Sequence, residues 1–200
     1  MRSRAGSAEP SRPEGAGRTA YARGMPSAEG TLTWVDASER PDLLAPPVVA
    51  ALGHVPGVRV AAIDATLADT AAFCEAYDVA PGASANCVVV EARRGDETTL
   101  AAVMVLATDR ADINRVVRKH LGARRISFAD QSKAQELTGM EQGGITPVGL
   151  PADWPVLVDE AVVAAGPVVV GAGVRGAKLL LDGAALAGLP KAQVVALAVR

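Results

Sequence analysis

From Thr31 onward apolar residues recur with two periods, and the switches between them lay out the elements. Pro46-Pro47 ahead of Val48-Val49-Ala50-Ala51-Leu52 predicts a short helix that tolerates proline in its first turn and stops at Gly53. Residues 58–63 alternate in part and predict a strand. Thr66-Leu67-Ala68-Asp69 has capping-box spacing, with Asp in place of Glu or Gln, and predicts a helix through Glu75. Two β-rich runs, 86–91 and 98–106, flank Arg93-Arg94-Gly95-Asp96 and predict a hairpin. A period of two puts Asn86, Val88 and Val90 on one face of its first strand and Cys87, Val89 and Glu91 on the other. Residues 109–122 carry the clearest helical stripe, Ile113, Val116, Val117 and Leu121, with Arg115, Arg118 and Lys119 opposite and Gly122 as terminator. A strand at 125–128 and a helix capped by Asp130 and ended by Gly139 follow. Short strands at 156–159, 168–171, 178–181 and 194–197 complete the pattern, with Asp182 capping a brief helix before the last. Short strands in antiparallel runs, with helices between some of them, predict an α+β fold in one domain over residues 31–200.

Between the helix at 130–138 and the strand at 156–159 lies a loop crowded with small and stiff residues, Gly139, Gly143-Gly144, Pro147, Gly149 and Pro151. Gly143-Gly144 can adopt positive φ or let another molecule approach the main chain, and Pro147 pushes Thr146 into an extended conformation. Such a loop either turns at the surface or aims successive N–H groups at one point, where they can receive an oxyanion or carbonyl oxygen. It is not a nucleotide loop: neither Walker spacing with its lysine nor G-x-G-x-x-G after a strand is present.

Half of the 200 residues are hydrophobic, enough for one good core. Residues 1–30 are rich in Arg, Gly, Ser, Ala and Pro without an apolar period and predict a disordered leader. No apolar run is long enough to span a bilayer and no secretory h-region is present, so a soluble cytoplasmic protein is expected. The leader carries five arginines against three glutamates while the whole chain is at −2, so the folded part is net acidic. Contact with a nucleic acid is therefore expected to be local, at Arg115, Arg118 and Lys119 with Arg110, Arg124 and Arg125 flanking them; a charged helix face exposed to solvent is the other reading. Cys74 and Cys87 match no disulfide framework, no metal-ligand spacing exists, and no cofactor is expected.

Leu137-Thr138-Gly139, then Gly143-Gly144-Ile145-Thr146-Pro147-Val148-Gly149, Val158-Asp159-Glu160 and Gly173-Val174-Arg175-Gly176 together resemble the YbaK/EbsC family of aminoacyl-tRNA deacylases, relatives of the editing domain inserted in bacterial prolyl-tRNA synthetases. The resemblance runs from about Ala45 to Arg200. It implies a mixed, barrel-like β-sheet with flanking helices, and an aminoacyl-tRNA partner whose mischarged end enters a pocket. A synthetase is a second candidate partner. By position it assigns Gly143 and Gly144 to catalysis through their main chain, and Ile145, Thr146, Pro147, Asp159 and Gly173 to substrate binding. The family lysine at the start of the 86–91 strand falls on Asn86, and its threonine on Cys87. A neutral amide hydrogen-bonds but brings no positive charge. Two functions fit these residues: a deacylase acting in trans, or a binding module that keeps the pocket without turnover.

Overall fold

The computed structural model describes residues 27–199. The predicted leader therefore lies, up to residue 26, outside the described residues. Its last residues engage the body: Ser27 bridges Val79, and the Trp34 indole donates to Glu29 O at 2.9 Å.

Eleven strands are described: β1 (Val35–Asp36), β2 (Arg59–Ala62), β3 (Ala85–Arg94), β4 (Glu97–Leu106), β5 (Arg110–Ala111), β6 (Arg125–Phe128), β7 (Val156–Asp159), β8 (Pro167–Gly171), β9 (Ala177–Asp182), β10 (Ala192–Val195) and β11 (Ala198–Val199). The α-helices are α1 (Pro46–Ala51), α2 (Thr70–Tyr77), α3 (Arg118–His120), α4 (Gln131–Thr138) and α5 (Glu160–Ala164). They build a four-stranded sheet, β1-β2-β9-β8, a five-stranded sheet, β10-β7-β4-β3-β6, and a small β11-β5 pair.

The two larger sheets share one core, and the strand period decides which side chains enter it. Val168, Val170, Leu179 and Leu181 from the first sheet meet Ala102, Met104, Val156 and Val158 from the second in a single buried cluster. The alternate residues face outward. Val169 and Leu180 pack under Phe73 of α2, while Ala101, Val103 and Val105 pack against Val117 and Leu197. Each sheet is thus apolar on both faces, as the near-continuous valine and leucine runs require.

The fold is α+β as expected, but the sheets do not close into a barrel. Among the described residues no ladder joins β3 to β8; the link is an isolated parallel bridge from Ser84, just ahead of β3, to Val169. On its free side residues 90–93 pair with β6 and Val89 O accepts from Ala129 N at 3.0 Å, leaving residues 85–88 as an open edge. Two pairings are parallel, β4 with β7 and β7 with β10, where antiparallel runs were expected. Each parallel pair is joined by a long connection carrying helix or further strands, which is what lets the chain return in the same sense.

Local differences have local causes. The hairpin turn is only Gly95-Asp96, with Gly95 at φ +65°, so Arg93 and Arg94 stay in the ladder. The capping box at Thr66 is not made: Asp64 caps that turn by accepting from Thr66 N, and α2 starts at Thr70. The predicted helix over 109–122 is a π-helical turn, Ile113–Val117, followed by α3. Arg110 and Ala111 are drawn into a strand by β11, and Asp112 caps the turn through Arg115 N.

Candidate functional site

The open edge of β3 borders a cavity of about 390 Å³. The start of α2 closes one side of it and the 139–151 loop another, so that Asn86 and Thr70 share its wall with Gly143 and Ile145. The cavity is the gap the unclosed sheets leave.

The loop is pinned into place by main-chain contacts that only glycine permits. A Cβ on Gly144 would sit 2.6 Å from the Val174 carbonyl, and one on Gly171 would sit 2.2 Å from Gly144 O. At that separation Glu141 N–H donates to Gly173 O and Gly173 N–H to Gly144 O, both at 2.8 Å. Arg175 fastens the same loop: its N–H donates to Glu141 Oε2 at 2.7 Å, and its guanidinium donates to Gln142 O and Ala65 O. The Gly173-Val174-Arg175-Gly176 turn is thus the loop's dock.

Of the residues picked out by sequence, Asn86, Gly143 and Ile145 line the cavity together. Asn86 Oδ1 accepts from Thr70 Oγ1 at 2.6 Å, which leaves the amide nitrogen as the donor turned to other partners. Gly144 is behind the wall. Its N–H is used by Glu141 O at 2.9 Å, so the two glycine amides do not act as an open pair. The Gly143 and Ile145 N–H groups have no hydrogen-bond partner among the described residues.

Four expected binding residues are not brought to the cavity. Thr146 is fully buried with an unpartnered Oγ1, and Pro147 borders a separate small cleft beside Ala51 and His54. Asp159 is buried too: it caps α5 through Ala161 N at 2.9 Å and accepts from Leu197 N and Ala198 N at 2.7 and 2.9 Å. Its carboxylate organises the C-terminal strands. Gly173, at φ +81°, packs on Ala45 where a Cβ would approach to 2.4 Å. The basic residues lie away from the cavity as well. Arg115 pairs with Asp112 at 3.2 Å, Arg118 Nε donates to Asn114 O, and Lys119 is exposed. β6 connects the two regions, running from Arg125 beside the basic residues to Phe128 at the cavity mouth.

Two residues that sequence reasoning passed over are at the site. Phe128 is 66% exposed at the mouth. Lys178 of β9 is 6% exposed and lines the cavity, its Nζ donating to Ala68 O at 2.8 Å and lying 5.1 Å from the Phe73 ring centroid. Burial pushes the Lys178 ammonium below its ordinary value, with the nearby Cys74 and Asp69 opposing and the Arg175 charge adding to the drop. A lysine leading a run of three leucines was the available signal, because a strand buried on both faces has no solvent side for it. Cys87 also lines the cavity, and desolvation pushes its thiol up to about 12. It is protonated at neutral pH and is a poor nucleophile. Among the described residues no group of three or more His, Cys, Asp or Glu side chains is placed to hold a metal ion, and no helix is long and apolar enough to cross a membrane.

This arrangement of sheets recurs in solved structures. A proposed trans-editing enzyme for prolyl-tRNA synthetase is similar at TM-score 0.66 and 23% identity, over 78% of this chain and 97% of that one. A protein described only as hypothetical follows at TM-score 0.63 and 22% identity, over 71% and 91%. A proposed signal-transduction protein of Marinobacter aquaeolei matches at TM-score 0.52 and 20% identity, over 77% of this chain and 30% of that one. At such identities the likeness is one of fold. Sequence adds the family: residues 64–189 match the aminoacyl-tRNA editing domain, and the chain belongs to that family.

Proposed function

We propose that this protein hydrolyses, in trans, the ester joining an amino acid to the terminal ribose of a mischarged tRNA. The observation that carries the reading is the cavity between Asn86 and the Gly143 main chain, in a chain of the editing-domain family. Water adds to the ester carbonyl, the ribose oxygen leaves with a proton, and the free amino acid is released. An ester is already activated, so orienting the water and stabilising the developing oxyanion supply most of what is needed. The Gly143 and Ile145 N–H groups and the Asn86 amide nitrogen are the donors this reading uses. Cys87 stays a thiol and takes no part. Phe128 offers a face on which a terminal base stacks, and the arginines that β6 leads back to offer phosphate contacts.

Asn86 favours a second reading, a module that binds the acyl end without turnover, because a neutral amide stabilises an oxyanion less than a charged donor does. A deacylation assay over a panel of mischarged tRNAs separates the two when run on wild type, Asn86→Lys and Gly144→Val. The deacylase reading expects turnover by wild type and its loss in Gly144→Val, whose side chain has no room against Val174. Turnover appearing only in Asn86→Lys, with charged tRNA bound by wild type, supports the binding module.

A further inference from the structure

Lys178 is the buried exception among the four lysines of the chain, Lys119, Lys133, Lys178 and Lys191. Charges removed from water are ordinarily paired with an opposite charge or with a full set of hydrogen bonds. The ion pairs among the described residues join Arg40, Arg59, Arg93, Arg115 and Lys133 to carboxylates, and none includes Lys178. An ammonium has three donors. One reaches Ala68 O, and the Phe73 ring receives charge without using a specific N–H. The remaining donors belong to a side chain that lines the cavity beside Gly143, Gly171 and Asn86.

The charge pattern of the cavity is equally specific. Lys178 is its sole cation and Asp69 its sole carboxylate among the described residues. Asp69 stands at the N-cap position of α2 but makes no side-chain capping hydrogen bond, and it is exposed at the rim. A buried cation and a rim carboxylate complement a ligand with an anionic oxygen at one place and an ammonium at another.

We infer that Lys178 binds an anionic oxygen of the ligand from inside the cavity, while Asp69 receives the ligand's ammonium at the rim. Resting on the function proposed above, the ammonium is the α-amino group of the aminoacyl ester. The oxygen is either the phosphate of the terminal nucleotide or the ester carbonyl oxygen as it gains charge. Lys178 therefore supplies from β9 the positive charge that Asn86, on β3, does not.

Two measurements on the full chain test this. In the first, the Lys178 side-chain Cε resonance is followed by NMR in wild type during titration with adenosine 5′-monophosphate and, separately, adenosine. In the second, kcat and KM for one mischarged tRNA are compared in wild type, Lys178→Met and Lys178→Arg. A phosphate partner is expected to shift the resonance with the monophosphate only and to raise KM tenfold or more in Lys178→Met, with partial rescue in Lys178→Arg. A carbonyl partner is expected to leave KM unchanged and to lower kcat tenfold or more. Either result, with the melting temperature of Lys178→Met not lowered, supports the assignment. An unperturbed resonance together with wild-type kcat and KM in Lys178→Met overturns it even if the protein is a deacylase. A monophosphate-specific shift in a protein that hydrolyses no charged tRNA upholds the anion site and removes the proposed activity. If Lys178→Met does not fold, Lys178→Gln takes its place: no shift in the wild-type titration together with wild-type kcat and KM in Lys178→Gln overturns the assignment.

Discussion

Thr146 is a motif residue that the fold buries away from the cavity. Its side chain is fully buried and its Oγ1 has no partner, so a polar atom has been desolvated without compensation. Thr146→Val is expected to stabilise the protein by about 1 kcal/mol and leave deacylation unaltered. A thermal melt and a rate measurement check both halves; loss of activity would restore a ligand role to the hydroxyl. Glu91 is the opposite case, a buried carboxylate with two cations. Lys133 first and Arg93 second hold its carboxyl below the ordinary 4.5, Lys133 Nζ lying 2.7 Å from Oε2. A depressed carboxylate pKa adds stability that is fully present above the unfolded value and is lost as pH falls through the lower folded value. Unfolding free energy should therefore drop on acidification below about pH 4.5, and Glu91→Gln should lose stability at neutral pH and flatten that acid limb in denaturant titrations. At this scale three of the residues that sequence reading singled out, Asn86, Gly143 and Ile145, line one cavity. It could not separate Thr146, Pro147, Asp159 and Gly173 from them, because a motif records which residues recur and not which of them face inward.

Elements were legible wherever local pattern alone decides. The helix ended by Gly139, the hairpin and the first three of the four short strands expected after the loop follow from capping residues and short β-rich runs, whereas the strand expected at 194–197 lies earlier, as β10 (Ala192–Val195). The 109–122 segment was not, because Arg110 and Ala111 are claimed by β11, some eighty-seven positions further along in register with them. Its apolar stripe still packs together: Val117 is buried in one cluster with Ile113, Val116 and Leu121 against it. What no local pattern could reveal is the contact between the end of β8 and the loop. Gly171 lets Gly144 O come close, and Gly171→Ala forces the two apart. Overpacking of this kind typically costs about 1–3 kcal/mol. Gly171→Ala is expected to lower the melting temperature and to reduce kcat/KM at least tenfold, since the displaced loop carries Gly143 and Ile145. Wild-type kinetics in a destabilised variant would separate the loop's position from the reaction.

Across the whole molecule the decisive feature is a pair of sheets that share a core yet fail to join along the first part of one strand. The expectation of a barrel came from family resemblance, and the open edge of β3 departs from it at the place where the cavity forms. That gap brings together a free strand edge, a loop held by glycine contacts and a buried ammonium contributed by the opposite sheet. Sequence could mark Lys178 as a buried lysine but not place it in one cavity with Asn86, because that placement arises only from the packing of one sheet on the other. A single experiment tests the central claim most directly: release of amino acid from a panel of tRNAs, each charged with a wrong and with its correct amino acid, on adding the purified full chain. Release from at least one mischarged tRNA, well above the spontaneous rate and faster than from its correctly charged counterpart, is the predicted result. Spontaneous rates across the entire panel would contradict it.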